Sequence, residues 1–225
     1  GLLNTFSGRI SNIFSINQNG VFISPYCFLL SFENNIVCLC EAPGGFVQSI
    51  LNMDHIDKDI IGISLLSKDY TIPKWNNTLK KNTNFTIENG IKNNGDICDL
   101  NNIISIINNI GKNKIDIVTG DGGFDYSNDY SKQEENSLKL ILSEIFIALN
   151  IQKIGGKFIC KIFDIFNENT LKLLYILNIL YEKITIYKPK ISRNSNSEKY
   201  LICEGYYGYD LNMNNILCRY YLTNE

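Results

Sequence analysis

The 225-residue sequence lacks several features that would assign a class of protein at once. It has one histidine, and none of its seven cysteines forms a Cys-x-x-Cys pair, so we predict no zinc site and no other bound metal. Reduced, buried thiols of an intracellular protein explain these cysteines better. The 21 Lys and Arg residues are balanced by 23 Asp and Glu residues, giving a net charge of −2. This balance excludes binding of a polyanion through overall positive charge, and leaves only a local basic patch.

Long apolar runs are missing as well. The longest ones fall well short of the roughly 20 residues that cross a bilayer, so we predict no transmembrane helix and no membrane partner. Residues 1–4 have no basic segment of the kind that opens a signal peptide. We interpret residues 1–30 as an N-terminal extension, truncated from a longer segment, and residues 31–225 as one folded domain.

The sequence does contain short apolar runs that alternate with helical spacing. Strands are predicted at Ile36–Cys40, Ile60–Leu66, Asn84–Ile87, Ile115–Thr119, Lys157–Phe163, Lys183–Tyr187 and Lys199–Glu204. Helices are predicted at Gly45–Met53, Leu100–Ile110, Ser137–Ile154 and Asn169–Tyr181, with Gly155 and Gly156 ending the third one. Lys74–Asn94 is predicted to be a loop insertion. The strand–helix–strand order indicates the α/β class, specifically a Rossmann-like, doubly wound and mostly parallel sheet.

A glycine-rich turn follows the first predicted strand. The turn reads Glu41-Ala42-Pro43-Gly44-Gly45-Phe46. In doubly wound sheets this turn faces the ligand crevice, where glycines allow close approach to the backbone. It matches neither Gly-x-Gly-x-x-Gly nor a P-loop, which disfavours a dinucleotide or a triphosphate. A tight turn that merely packs remains the alternative.

Three charged residues lie at the ends of other predicted strands. Asp121 follows the fourth strand between glycines, and Lys161 interrupts the apolar run of the fifth. Because a lysine is almost never buried without a partner, we expect Lys161 to meet a carboxylate, with Asp121 as the nearest candidate. Glu198 precedes the last strand. Each residue also has a simpler interpretation, since Asp121 could cap a helix and Glu198 could belong to a solvated polar loop.

These motifs, taken in order, resemble one known family. Glu41–Phe46, Asp121–Phe124, Cys160–Asp164 and the segment from Lys188 to Tyr200 are similar to the FtsJ-like RNA ribose 2′-O-methyltransferases. The similarity covers roughly residues 36–205. The Asp-Gly-Gly-Phe motif favours the cap-specific mRNA (nucleoside-2′-O-)methyltransferases of the eukaryotic nuclear type, since bacterial-type ribosomal RNA enzymes usually carry Pro-Asn shortly after this aspartate.

The resemblance implies a function in mRNA capping. Residues 31–225 would form an S-adenosylmethionine-dependent methyltransferase domain, and the substrate would be RNA, specifically the capped 5′ end of mRNA. The similarity to nuclear-type enzymes favours the nucleus over the cytoplasm.

The resemblance also implies roles for individual residues. S-adenosylmethionine would be bound by Cys40, Glu41, Ala42, Pro43, Gly44, Gly45, Phe46, Ser64, Leu65, Asp96, Ile97 and Asp121. Asp121, Lys161 and Glu198 match the last three members of the family's Lys-Asp-Lys-Glu tetrad. Lys161 would be the general base, with a pKa lowered by burial and by the sulfonium of the cofactor. RNA would be contacted by Ser131, Lys132, Gln133, Arg193 and Asn196, and phosphates by the basic cluster Lys188, Lys190, Arg193 and Lys199.

One member of the tetrad is missing from its expected place. No lysine precedes Lys58, and Arg9 is the only cation in the region before the glycine-rich turn. Arg9 could substitute for it, the lysine could lie in an upstream segment, or activity could be reduced. Two alternatives to the cap-specific enzyme therefore stay open. They are a ribosomal or transfer RNA ribose methyltransferase and a non-catalytic FtsJ-like RNA-binding domain.

Overall fold

The computed structural model describes residues 33–52, 57–123, 132–189 and 196–208. Within them the strands are β1 (Glu33–Leu39), β2 (Asp57–Ile63), β3 (Phe85–Ile87), β4 (Ile115–Gly120), β5 (Gln152–Ile162), β6 (Tyr181–Tyr187) and β7 (Lys199–Tyr206). The α-helices are α1 (Gly45–Leu51), α2 (Leu100–Ile110), α3 (Gln133–Ile151) and α4 (Glu168–Leu180), and Leu79–Lys81 forms a short 3₁₀-helix.

The strands form one sheet in the order β3-β2-β1-β4-β5-β7-β6. β3, β2, β1, β4 and β5 pair in parallel, whereas β7 runs antiparallel to both β5 and β6. The order reverses between β1 and β4, and ligands of open α/β sheets bind at such a switch point, beyond the carboxyl ends of the strands. The predicted Rossmann-like α/β fold is confirmed.

Buried side chains cover both faces of this sheet. One apolar cluster joins the sheet to α2, α3 and α4 through residues such as Ile103, Ile145 and Leu177. A second cluster packs α1 against the opposite face, through Val47 and Ile50. The central strands β1 and β4 lie between the two clusters, which explains the apolar residues Ile36–Leu39 of β1 and Ile115, Ile117 and Val118 of β4.

The boundary between α3 and β5 differs from the prediction. α3 begins at Gln133 and ends at Ile151, and the predicted helix end at Gly155 and Gly156 is wrong because both glycines lie inside β5. The pairing of β5 with β4 shifts register between Ile115 and Ile117, and Gly155 has a φ of 79° that suits such an irregularity. Apolar spacing continues through this junction and therefore does not reveal it.

The segment Lys74–Asn94, predicted to be a loop insertion, contributes three residues to the core. Its residues Trp75, Leu79 and Phe85 are at most 5% exposed and pack on the same face as α1. The rings of Trp75 and Phe85 meet edge to face with centroids 5.2 Å apart. The predicted strand in this segment is confirmed as β3.

No helix among the described residues is long and apolar enough to span a membrane. In the same part of the chain, no three His, Cys, Asp or Glu side chains form a group that could hold a metal ion.

Candidate active site

The carboxyl ends of β1, β2 and β4 are tied together by backbone hydrogen bonds. The Cys40 N–H donates to the carbonyl of Ile63 (2.7 Å), and the Asp121 N–H donates to the carbonyl of Leu39 (3.1 Å). The glycine-rich turn and Asp121 therefore start from the same edge, at the switch point of the sheet.

The glycine-rich turn has one tightly packed glycine and one open one. Gly44 has a φ of 109°, and a Cβ there would lie 2.3 Å from Leu79, so no other residue fits without strain. A Cβ on Gly45 would meet no atom within 4 Å. The backbone at the start of α1 therefore borders open space that a ligand can fill.

Glu41 brings a buried carboxyl group into this turn. Its side chain is 5% exposed, its Oε1 accepts from the Thr119 hydroxyl, and its Oε2 is buried with no hydrogen-bond partner among the described residues. Burial raises the pKa of Glu41, although the bond from Thr119 opposes that rise. One oxygen of this buried carboxyl group is therefore open to a further hydrogen bond.

The predicted residues after β2 and before α2 form the next part of this edge. Ser64 is buried and Leu65 is 38% exposed. A Cβ on Gly95 would lie 2.0 Å from the Ser64 carbonyl oxygen, so the segment carrying Asp96 and Ile97 lies directly against Ser64. The structure thus brings these four predicted cofactor residues together.

Asn102 supports the Asp96 segment through hydrogen bonds, and the sequence analysis does not identify this residue. This asparagine of α2 is fully buried and donates to Asn94 Oδ1 (2.7 Å) and to the Asp96 carbonyl (2.9 Å). Its own Oδ1 accepts from the Lys92 N–H (2.9 Å). In a sequence with so many asparagines, nothing local distinguishes this one.

The predicted pairing of Lys161 with Asp121 is present. Lys161 Nζ lies 3.1 Å from Asp121 Oδ1 and donates to the Asp121 carbonyl (2.8 Å). Burial lowers the pKa of Lys161, but the carboxylates of Asp121, Glu198 and Glu144 together outweigh it and hold the pKa above its usual value. The expected lowering by burial is therefore not what the chain alone shows.

Tyr200 links Asp121 to Glu198, and the sequence reasoning gave it no role. Its hydroxyl oxygen lies 2.8 Å from Asp121 Oδ1 and 3.0 Å from Glu198 Oε1. A phenol has one proton, so it donates to one carboxylate at a time. Burial and both carboxylates raise the pKa of Tyr200, which keeps the hydroxyl protonated. Its antiparallel pairing with Lys161 places both side chains on one face of the sheet.

Two of the predicted RNA-contacting residues lie beside Glu198. Asn196 Nδ2 donates to Glu198 Oε2 (3.2 Å), and Gln133 accepts from Ser197 (2.7 Å). Lys132 is exposed at the start of α3. Ser131 and Arg193, like Lys190 and Arg9, lie outside the described residues.

Two lysines that are predicted to contact phosphates also make contacts within the chain. Lys188 Nζ donates to the Glu198 carbonyl (2.9 Å), and Lys199 Nζ pairs with Asp164 (3.0 Å). Both ammonium groups thereby stabilise the segment that leads into β7. The backbone carbonyls of such a segment need hydrogen-bond donors.

A further acid, Glu144 of α3, lies under the turn that carries Asp121. It is completely buried, and its Oε1 accepts from the Gly122 N–H (2.9 Å). The sequence does contain a signal for this residue. Glu144 is the single acid within the apolar stretch Leu140–Ile151, and a charged residue in such a stretch requires a partner, as was argued for Lys161.

Comparison with known proteins agrees with this arrangement. The model of the FtsJ-like methyltransferase family matches residues 21–206. Cap-specific mRNA (nucleoside-2′-O-)-methyltransferase 1A of Caenorhabditis briggsae is 33% identical over 173 residues, which are 74% of this chain and 20% of that protein. Inactive cap-specific mRNA (nucleoside-2′-O-)-methyltransferase 1B of the same species is 31% identical over 173 residues, again 74% of this chain and 20% of that protein. The chain thus spans about a fifth of the length of these curated relatives.

A solved structure supports the fold. A Plasmodium falciparum protein described as a ribosomal RNA methyltransferase superposes with a TM-score of 0.58 at 24% identity, covering 81% of this chain and 92% of that one. The family match extends from before β1 to the end of β7 and includes every strand and helix of the sheet. The chain therefore belongs to the FtsJ-like methyltransferase family.

Proposed function

We propose that this chain is the methyltransferase domain of an S-adenosylmethionine-dependent RNA ribose 2′-O-methyltransferase, acting on the capped 5′ end of mRNA. The observation that carries the proposal is the Lys161 amine, on a side chain only 14% exposed, held by Asp121 with Glu198 beside it, at the edge that also bears the glycine-rich turn. The names of the relatives support the cap as substrate. A nuclear location and a domain spanning residues 31–225 remain predictions.

The residues of the turn fit the proposed cofactor. The unpartnered Oε2 of Glu41 suits an amino group, and the space beside Gly45 admits a ligand next to the backbone. Cys40–Phe46 would hold one end of S-adenosylmethionine, and Ser64, Leu65, Asp96 and Ile97 the other. When bound, the cofactor supplies an electrophilic methyl group.

Lys161 would accept the proton of the ribose 2′-hydroxyl. A positioned base contributes about 10²- to 10⁴-fold to a rate, but Lys161 must first be neutral. Its raised pKa shows that the carboxylates oppose this form, so a positive charge entering the site is needed to offset them. Asp121 and Glu198, joined through Tyr200, would fix the direction of the amine.

The entrance beside Glu198 would hold the RNA. Proteins read RNA most readily as unpaired nucleotides, and a 5′ end supplies them. Gln133 and Asn196 already lie next to Glu198, and Lys132 is exposed nearby. Ser131 and Arg193 are proposed contacts on the resemblance alone.

The variant Lys161→Ala tests the proposal. We expect it to abolish methyl transfer to capped RNA while calorimetry still detects S-adenosylmethionine binding, because the amine and the cofactor turn lie on different strands. The matched control is Lys153→Ala, which breaks a lysine–aspartate pair on the same two strands at the opposite edge (Lys153 to Asp116, 2.8 Å). Full activity of Lys161→Ala would refute its role as the base. Transfer to uncapped ribosomal or transfer RNA only would reassign the substrate.

A non-catalytic RNA-binding domain is the second candidate. One relative at 31% identity is named an inactive methyltransferase. This candidate predicts RNA binding with neither methyl transfer nor measurable affinity for S-adenosylmethionine. Wild-type protein in the two assays above decides between the candidates.

A further inference from the structure

Glu144 fills the space under the turn that follows β4. A Cβ on Gly120 would lie 2.7 Å from the Glu144 carboxyl carbon, and a Cβ on Gly122 would lie 2.6 Å from its Oε1. The glycines on both sides of Asp121 thus leave room for this carboxyl group. Such close packing of a buried acid against a backbone turn means that neither can move without the other.

The contact reaches Lys161 through one peptide group. The amide between Asp121 and Gly122 donates its N–H to Glu144 Oε1 (2.9 Å), and its carbonyl accepts from Lys161 Nζ (2.8 Å). The two hydrogen bonds lie at opposite ends of the same planar unit, so each polarises the other. Tilting the peptide plane would displace the acceptor that holds the amine.

We propose that Glu144 is a positioning residue, which orients the Asp121–Gly122 peptide and thereby aims the Lys161 amine at the substrate hydroxyl. This inference rests on the proposed methyl transfer. Glu144 influences the Lys161 amine in two ways, through that peptide and through its charge.

Several titratable groups face Glu144. The Cys160 thiol of β5 lies 3.2 Å from Oε2, and the charges of Asp121 and Lys161 act across the turn. The negative charge of Glu144 also raises the pKa of the Cys40 thiol, at the end of β1. Burial raises the pKa of Glu144 to about 8, against the hydrogen bonds from Cys160 and Gly122 and the charge of Lys161. Burial therefore favours the neutral form of this carboxyl group at pH values where an exposed glutamate is ionised.

Kinetics of two variants test the proposal. Glu144→Leu removes the acceptor of the Gly122 N–H, and we expect kcat to fall by about tenfold or more with a much smaller change in KM for RNA. Glu144→Gln keeps an acceptor oxygen and should recover a large part of kcat. Because it lacks the negative charge that raises the pKa of Lys161, its rate–pH profile should shift to lower pH. Asn150→Leu, a buried polar-to-apolar change at the far end of α3, is the control.

A folded Glu144→Leu variant with wild-type kcat would overturn the inference. So would a Glu144→Gln profile that superimposes on that of the wild type, and this second test holds even where the leucine variant does not fold.

NMR separates this inference from the proposed function. The Gly122 amide proton should titrate near pH 8 in the wild type and lose that transition in Glu144→Gln. A Gly122 amide that does not titrate differently in the two proteins would overturn the inference. Titration in a wild type that transfers no methyl group would leave the Glu144 contact intact and reject the proposed function instead.

Discussion

At the scale of single residues, two opposing effects determine the pKa of Lys161. Burial favours the neutral amine, and neighbouring carboxylates favour the ammonium. With three acids close to it, the ammonium form prevails in the chain alone. The proposed base is therefore protonated in the chain alone, and a second positive charge in the site would favour its neutral form.

Glu144 imposes a dependence of stability on pH. Its pKa is near 4.5 in an unfolded chain and about 8 in the fold, so between these values the folded protein binds one more proton than the unfolded one. The free energy of unfolding must then fall as pH rises from 5 to 8, by at most about 1.4 kcal/mol per pH unit from this group. We expect Glu144→Gln to lose this slope.

Urea unfolding at pH 5, 6.5 and 8 measures the difference. The stability of Glu144→Gln relative to the wild type should grow with pH. Parallel pH dependences of the two proteins would show that Glu144 ionises normally.

At the scale of elements, the sequence predicted the strands and helices that are determined by local residue pattern. β1 contains the apolar run Ile36–Leu39, β4 is largely apolar apart from Asp116 and Thr119, and the apolar spacing of α2 matches its observed bounds, Leu100–Ile110. The end of α3 was not predictable, because the register shift at Ile115 depends on which strand β5 joins. Tertiary contacts, rather than local pattern, set that boundary.

The residues of the candidate site also divide into those that local sequence predicts and those that it does not. Lys161 and Asp121 were predictable because a lysine inside an apolar strand requires an acid. The role of Tyr200 follows from its pairing opposite Lys161, and that of Asn102 from the loop folded over α2. The first relation joins strands distant in the chain, and the second depends on how the loop before α2 folds back over that helix, so neither residue type nor spacing reveals them.

The brace between α2 and the Asp96 segment should control cofactor affinity. Asn102→Ala removes three hydrogen bonds inside the protein and leaves the Lys92 N–H without its acceptor, which costs about 1–3 kcal/mol of stability. We expect weaker binding of S-adenosylmethionine by calorimetry, because Asp96 and Ile97 lose their support. Asn108→Ala, an exposed position of the same helix, is the control. Equal affinities of the two variants would contradict the role of Asn102.

At the scale of the whole molecule, the slightly negative net charge restricts the proposed RNA binding to a few cationic residues. The net charge is −2, and Lys188 and Lys199 are engaged within the chain. Lys132 is exposed beside the site, whereas Lys112 is exposed at the opposite edge, before β4. We expect Lys132→Gln to weaken RNA binding and to reduce the slope of log affinity against log salt by about one, as the loss of one phosphate contact requires.

Titrating capped RNA at several salt concentrations measures that slope. Lys112→Gln should leave it unchanged. An identical effect of both variants would indicate diffuse attraction rather than a contact at the site.

The antiparallel course of β7 has a consequence for how this site can be altered. Lys161 and Tyr200 face each other because main-chain pairing sets them opposite one another. Sliding β7 by a single position would bring Lys199 or Leu201 there and turn the tyrosine to the other side. Insertions between β6 and β7 are harmless only where they leave this alignment intact. The register of β5 and β7 therefore sets the distance between the Lys161 amine and Glu198.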